Sequence, residues 1–512
     1  MSRITLVLCL VLGLARVGVP AQVGPHEASW EALDQRPTPQ WWQDARFGVF
    51  VFWGPAAVPA FAPRGEYAEW YWYWIEKPEA RGPLCREFHD RVYGPDFEYA
   101  DFIPRFRGEL FDPEEWAAII EASGARYVVL NAKHHDGFTM WPSREANASW
   151  GRRWNSLDVG PRRDVVGEVA EAVRRRGLRF GVYYSLYEWF NPLYLSDPSL
   201  FVEKVYHPQL KDLVTRYQPE VIFADGEWEH GNDLWRSHEL LAWLFNESPV
   251  AREVVVNDRW YKGSRHRHGG YYTTEYGSGL AGASRPWEEN RAIGTSYGYN
   301  RAERAEDYSS ARELVLMLAD IVSRGGNLLL DVGPAADGRI PEIMEDRLLE
   351  MGRWLETNGE AIYGTRSWKR SCQWSEGRVV EADRGEFRTG YDILRLTLAP
   401  RPGEAVKEVF FTARDAASRG VGVPGQGRPP VGRSGPRKGE TLYAITPTLP
   451  VGELTLEDVA TTAETEVSLL GHGEPVSWQQ AGDDVVVQIP EIRADRLPSD
   501  LAFVLRLTDV GP

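Results

Sequence analysis

Cysteine is scarce. The 512 residues hold three, and Cys9 lies in an N-terminal apolar run, leaving Cys85 and Cys372 for the rest of the chain. That excludes a disulfide framework and leaves room only for one long-range bridge, which spacing alone cannot assign. Basic excess is missing too: 58 Lys and Arg stand against 74 Asp and Glu, a formal charge of −16. Nucleic-acid and anionic-membrane partners need a basic footprint, so neither is expected, and a neutral substrate fits better. Beyond the N-terminus no apolar run is long enough to span a bilayer. Around the one histidine pair, His134 and His135, there is neither HxxxH nor CxxC spacing. Adjacent residues on a strand point to opposite sides, so a shared ion is awkward, and neither metal nor cofactor is expected.

What the chain has in quantity is aromatic surface: 21 Trp, 22 Tyr and 19 Phe. Flat rings stack on the apolar faces of sugars, and they also fill cores; composition leaves both readings open. The start carries an early Arg, an apolar run from Ile4 to Leu14 and small residues before a cut after Ala21, the pattern of a secretory leader over residues 1–21. The expected location is the secretory pathway, with secreted, lysosomal or bacterial periplasmic destinations all open. Asn147 and Asn246 begin Asn-X-Ser sequons and are glycan acceptors only in a eukaryotic source.

Apolar runs alternating with amphipathic stretches predict strands at Phe47–Trp53, Tyr127–Ala132, Phe180–Ser185, Val221–Ala224, Glu253–Asn257, Gly294–Tyr297 and Asn327–Val332. Intervening helices are predicted at Pro113–Ser123, Val165–Arg176 and Ala311–Ser323, the last closed by Gly325–Gly326. Strands apolar on both faces and alternating with helices point to a parallel α/β arrangement, best met over this length by a (β/α)8-like barrel at residues 22–368. From residue 369 to 512 the runs "YDILRLTLAP", "KEVFFTAR", "DDVVVQIP" and "LAFVLRLTDV" show no convincing helix. They predict a C-terminal antiparallel β-sandwich, with a disordered Gly/Pro/Arg-rich loop near 418–440.

Barrel active sites lie past the carboxyl ends of the strands, which turns strand reading into a search for side chains. "VIFA" runs into Asp225, with Glu227 and Glu229 behind it; "EVVVN" runs into Asp258 and Arg259; "GGYYTTEY" carries Glu275; "YVVLNA" runs into Lys133, His134, His135 and Asp136. An Asp after a strand is as often a helix cap, and Glu275 on these grounds alone is an ordinary loop carboxylate. Carboxylates at several strand ends, amid aromatics and without a metal motif, suit glycosidic bond cleavage, which needs one carboxylate at the developing cation and another to protonate the leaving oxygen.

The segments "ARFGVFVFWGPAAVPAF", "EYAEWYWYW", "KHHDGFTMWPS", "GVYYSLYEWFNPLY", "FADGEWE", "VVVNDRW", "GGYYTTEY" and "GGNLLLDVGPAADG" occur in the order found in α-L-fucosidases of glycoside hydrolase family 29. The resemblance runs from about Trp41 to Trp368 and looks most like the animal tissue enzymes. It implies a retaining exo-glycosidase that removes terminal α-L-fucose from a fucosylated oligosaccharide or glycoconjugate, with Asp225 as nucleophile and Glu275 as general acid/base. Glu288 and Glu289 are the alternatives to Glu275. It further implies sugar contacts from Glu69, Trp70, His134, His135 and Tyr183, with Arg259 near the reacting carboxylates and Phe223 in the wall that faces the 6-methyl group. One position departs: family members carry His-Trp-Gly where this chain has Phe52-Trp53-Gly54. Phe52 can neither donate nor accept, at a cost of roughly 0.5–1.5 kcal/mol for the lost bond. An alternative reading is therefore a catalytically impaired carbohydrate-binding protein on the same scaffold. The preferred linkage and the oligomeric state, including a homo-oligomer, are left open.

Overall fold

The computed structural model describes residues 25–280, 282–380, 391–415, 439–493, 497 and 499–511. The leader reading at 1–21 and nearly all of the loop reading at 418–440 lie outside them.

Eight strands form one curved parallel sheet: β1 (Phe47–Val51), β2 (Tyr127–Lys133), β3 (Arg179–Ser185), β4 (Val221–Asp225), β5 (Val255–Val256), β6 (Tyr272–Glu275), β7 (Trp287–Ala292) and β8 (Asn327–Val332). Their spatial order is β5-β4-β3-β2-β1-β8-β7-β6. The seam between β5 and β6 is bridged where the Val256 carbonyl accepts from the Gly270 and Tyr271 amides at 3.0 and 3.2 Å. The result is a (β/α)8-like barrel, and its strands are buried on both faces as their apolar runs require. Helices begin where the sequence supplies caps: Asp112 accepts from the Glu114 amide ahead of Pro113–Ala122, and Ser310 with Glu313 closes a capping box on Ala311–Ser323.

One expected strand is missing, and two that were not expected take its place. Gly294–Tyr297 forms no strand, because the Thr295 and Ser296 amides donate to the Glu303 carboxylate instead of to a neighbouring strand. The strands at that side of the barrel are Tyr272–Glu275 and Trp287–Ala292, and the second reads "WEENRA". Its charges are buried in pairs, Glu289 with Arg291 and Glu288 with the Tyr127 hydroxyl, so it carries no apolar signal.

Inside the barrel, Phe50, Tyr127, Tyr183, Phe223, Tyr271 and Leu329 form a core distinct from the larger one between strands and helices. Gly48 makes the inner layer fit: a Cβ there would lie 2.4 Å from the Tyr127 ring. The two residues after β1 then diverge. Phe52 turns inward, whereas Trp53 packs outward against Phe106, Phe111 and Trp116 and donates to the Ala335 carbonyl at 2.8 Å.

The C-terminal region is antiparallel, as expected. Strands β9 (Arg366–Trp374), β10 (Lys407–Arg414), β11 (Glu440–Thr446), β13 (Val467–Leu469) and β16 (Phe503–Val510) make a five-stranded sheet in the order β13-β16-β11-β10-β9. A three-stranded sheet, β12 (Glu453–Leu456), β15 (Asp484–Gln488) and β14 (Trp478–Ala481), covers it over a shared apolar core. The expectation of no helix fails at "YDILRLTLAP": Ile393–Thr397 is helical, because Asp392 caps it by accepting from the Arg395 amide and Ile393 and Leu396 bury one face. The sandwich is tied to the barrel through Asp320, fully buried, which binds Arg324, Lys407 and the Tyr391 hydroxyl. Burial opposes its ionisation, yet Arg324 and Lys407 hold it well below the usual carboxylate range. Cys85 and Cys372 are both free thiols, so no bridge joins them. Among the described residues no helix is long and apolar enough to cross a membrane.

Gly48→Ala should destabilise the protein by about 1–3 kcal/mol through overpacking against Tyr127, read as a lower denaturation midpoint. An unchanged midpoint would mean that the inner layer has room to spare. Asp320→Asn leaves Lys407 and Arg324 undercompensated and should cost about 3–5 kcal/mol. The wild-type advantage should be complete above the unfolded carboxyl value and fade progressively as pH falls below it toward the depressed folded-state value.

Candidate active site

Strand alternation sets the site. On β4, Phe223 and Asp225 share the inward face; on β3, Tyr183 and Ser185 do, with Tyr183 in register with Phe223 and Ser185 with Asp225. Arg259 follows β5, Glu275 ends β6, and His134 and His135 follow β2. The connection after β1 folds back over the mouth and brings in Glu69 and Trp70. As a result Phe52, Glu69, Trp70, His134, His135, Tyr183, Phe223, Asp225, Arg259 and Glu275 all border one cavity of about 640 Å³.

At its floor, one nitrogen of Arg259, Nη1, contacts Asp225 Oδ1 at 3.0 Å and Glu275 Oε2 at 3.1 Å. Arg259 is held in turn by donating from Nε to Thr273 Oγ1 at 3.0 Å, and Thr273 donates to Asp258 at 2.7 Å. Asp258 is thus a support behind the site. The Tyr183 hydroxyl donates to Asp225 Oδ2 at 2.7 Å, and Arg265 stands 3.6 Å from Oδ1. Burial disfavours the Asp225 charge, but Arg259, Arg265 and the Tyr183 hydroxyl outweigh it, and its pKa is lowered. Asp225 is therefore ionised, while burial beside Asp225 keeps Tyr183 protonated.

The histidines behave oppositely. Burial drives His134 well below its ordinary value and brings His135 down to about 4, so both rings are neutral. Glu69 is pushed up to about 7 by burial, against bonds accepted from the Gly298 amide and Ser296 hydroxyl at 2.9 and 3.1 Å. Phe52 lies edge-on to His134, ring centroids 4.8 Å apart. Phe223 lies under the Arg259 guanidinium, 5.0 Å from its ring centre.

Several acidic residues singled out in the sequence lie elsewhere. Glu288 accepts from Tyr127 below the cavity, Glu289 binds Arg291 and Thr274, Glu229 takes the Tyr194 hydroxyl, and Asp136 takes the Tyr99 hydroxyl. Asn147 is committed: its amide donates to Asp158 at 2.6 Å and its oxygen accepts from the Trp154 amide at 2.7 Å. Asn246 is exposed and ties down His26. Sequence reasoning missed Arg265, which links Glu227 at 2.7 Å to Asp225; the signal was the run of further cations, Lys262, Arg265 and Arg267, in "DRWYKGSRHRH" behind Arg259. It also missed Ser185 at the end of β3, which bonds His135, and two residues that line the cavity, Asn290 on β7 and Tyr297 in the connection after it.

Glu288 offers a clean titration. Burial raises it to about 7, so its proton favours the folded state below the unfolded carboxyl value, and that contribution is lost as pH rises through about 7. Glu288→Gln copies the neutral acid and should gain stability over wild type by about 1–3 kcal/mol between pH ~4.5 and ~7, then level off. Urea midpoints that track in parallel across that range would contradict it.

Both regions of the chain have known counterparts. The family profile described as Alpha-L-fucosidase matches residues 14–360, and the profile for the Alpha-L-fucosidase C-terminal domain matches residues 434–508. An alpha-L-fucosidase of Dictyostelium discoideum is 46% identical over 68% of this chain and 76% of that protein. The tissue alpha-L-fucosidase of Homo sapiens is 38% identical over 99% of this chain and 97% of its own length. Among solved structures, the Thermotoga maritima alpha-fucosidase in complex with a mechanism-based inhibitor superposes with a TM-score of 0.71 at 31% identity, covering 94% of this chain and 99% of that one. A barrel with acidic residues at its strand ends, an attached sandwich and matches to both regions lead to one conclusion: this chain belongs to the alpha-L-fucosidase family, glycoside hydrolase family 29.

Proposed function

We propose that this protein is a retaining α-L-fucosidase that removes terminal α-L-fucose from glycans or glycoconjugates through a covalent fucosyl-enzyme. The observation that carries the reading is the Arg259 nitrogen shared by Asp225 and Glu275. Two oxygens bound to one nitrogen lie within roughly 6 Å of each other, near the short separation of retaining enzymes and below that of most inverting ones.

In the first step an Asp225 carboxylate oxygen forms a bond to the anomeric carbon as the glycosidic C–O bond breaks, and Glu275 gives its proton to the leaving oxygen. In the second, Glu275 takes a proton from water, the water oxygen bonds to the same carbon, and Asp225 leaves as the carboxylate. The lowered pKa of Asp225 keeps it ready to attack, and the Tyr183 hydroxyl and Arg259 hold its orientation. Neutral His134 and His135, with Glu69 and Trp70, are suited to sugar hydroxyls and ring faces. Phe52 and Phe223 present apolar surface to a 6-deoxy sugar, whose methyl group gains where a hydroxymethyl would be stranded. The proposed route is secretory, supported by the leader pattern at residues 1–21 and by relatives named as plasma and tissue enzymes.

The test is hydrolysis of an aryl α-L-fucoside between pH 4 and 8, with the anomer of the first product read by NMR. The α-anomer should form first, and Asp225→Asn should lower turnover by at least ~10³-fold. Binding without turnover by folded wild-type protein would favour the impaired-scaffold reading, and an initial β-anomer would exclude retention. Phe52→His should change KM for the fucoside by roughly 3- to 10-fold, the size of one hydrogen bond; an unchanged KM would remove Phe52 from the sugar contacts.

A further inference from the structure

Ser185 stands one alternation beyond Tyr183 on β3, paired in register with Asp225, and is fully buried. Its Oγ lies 2.8 Å from the Tyr187 carbonyl oxygen and 2.6 Å from His135 Nδ1. A hydroxyl has one proton, and a carbonyl oxygen can only accept. The Ser185 proton therefore goes to Tyr187, and only lone-pair density faces the imidazole. Nδ1 must carry a hydrogen to complete the second bond.

The ring is neutral: burial lowers its affinity for a second proton, Lys133 and Arg259 act in the same direction, and Asp225 only partly opposes them. A neutral imidazole has a single N–H, so with Nδ1 protonated Nε2 is bare. That bare nitrogen sits 3.6 Å from Asp225 Oδ2, an acceptor facing an acceptor. The backbone permits no easy escape, since the His135 carbonyl accepts from the Trp189 amide at 2.8 Å and Trp70 and Trp189 crowd the ring.

We propose that Ser185 is a positioning residue that locks His135 in its Nδ1–H form, so that Nε2 accepts a hydrogen bond from the substrate hydroxyl on the carbon next to the reacting one. The choice of hydroxyl rests on the fucosidase reading, in which Asp225 attacks the anomeric carbon and its nearest neighbour in the ring bears a hydroxyl. The lock has two consequences. The opposite tautomer would turn an N–H toward Asp225 Oδ2 and draw on the charge of the attacking carboxylate; the locked one does not. It also makes the pocket demand a donor at that position, so a sugar lacking the hydroxyl leaves a buried lone pair without a partner.

The full-length protein labelled with ¹⁵N-histidine tests the lock in the absence of any substrate. Long-range ¹H–¹⁵N spectra at pH 6 to 7, with the His135 signals assigned by their loss in His135→Asn, should show a protonated Nδ1 and a bare Nε2. Ser185→Ala should shift His135 toward the Nε2–H form, and Ser185→Thr, which keeps the hydroxyl, should restore the wild-type pattern. In kinetics, removing the adjacent hydroxyl from the aryl fucoside should cost wild type roughly 10-fold or more in kcat/KM and cost Ser185→Ala distinctly less, because the variant no longer makes the hydrogen bond that the deoxy sugar removes. An Nε2–H ring in the wild type overturns the proposal, and this measurement needs no variant to fold. A tautomer indifferent to Ser185→Ala overturns it as well, as does an equal penalty for the missing hydroxyl in both proteins. A locked tautomer in a protein inert toward the fucoside supports the lock and counts instead against the fucosidase reading.

Discussion

One buried cation, the Arg259 guanidinium, is what the ends of β4, β5 and β6 are arranged around. Its side chain is 2% exposed, and a charge so enclosed persists only with partners. Asp225 supplies the countercharge, the Glu275 carboxyl shares the same nitrogen, Thr273 and Asp258 hold the far side, and Phe223 lies beneath. Without a cation between them, two carboxylates at this separation would compete for protons, and neither would have a fixed charge. With it, both are oriented toward the same point above the barrel floor.

Around that centre, groups with similar burial are given different charges by what they touch. Asp225 is ionised because two guanidiniums and a phenol face it. Glu69, beside the aromatic rim, meets a hydroxyl and an amide but no cation, and is held near neutrality at about 7. His134 and His135 are neutral for the same reason: low-dielectric aromatic surroundings penalise charge, and the nearest positive groups add to the penalty instead of relieving it. The site thus combines one fixed anion with several neutral donors and acceptors, an environment suited to a neutral polyol on which positive charge develops at a single carbon.

The sandwich contributes at a distance. Helix Ala311–Ser323 precedes β8, and its buried Asp320 is neutralised by Lys407 from β10 and by Arg324. The ion cluster fixes the helix that packs behind β8, so the C-terminal region steadies the barrel, and among the described residues none of its side chains lines the cavity.

Apolar strands were legible because a parallel strand buried on both faces must be written in Val, Ile, Leu and Phe, as in "YVVLNA" and "VIFA". The barrel and Asp225 at a strand tip followed from that pattern and from the order of the motifs, as did the turn to antiparallel structure, although its first strand already begins at Arg366, ahead of the expected boundary at 369. "WEENRA" was not legible: its carboxyl groups are satisfied by Arg291 within the strand and by Thr274 and Tyr127 on other strands, and a strand stabilised by such pairing has no apolar period to read. The same holds for Asp392 turning an apolar run into a helix. The sequence determined which residues stand at the mouth of the barrel, because alternation and strand ends are local properties of the chain. Which of them are charged, which of the nearby carboxylates face the cavity and which nitrogen of His135 holds a hydrogen were decided by the tertiary structure. Those properties depend on desolvation and on partners about 3 Å away that lie tens to hundreds of residues apart in the chain.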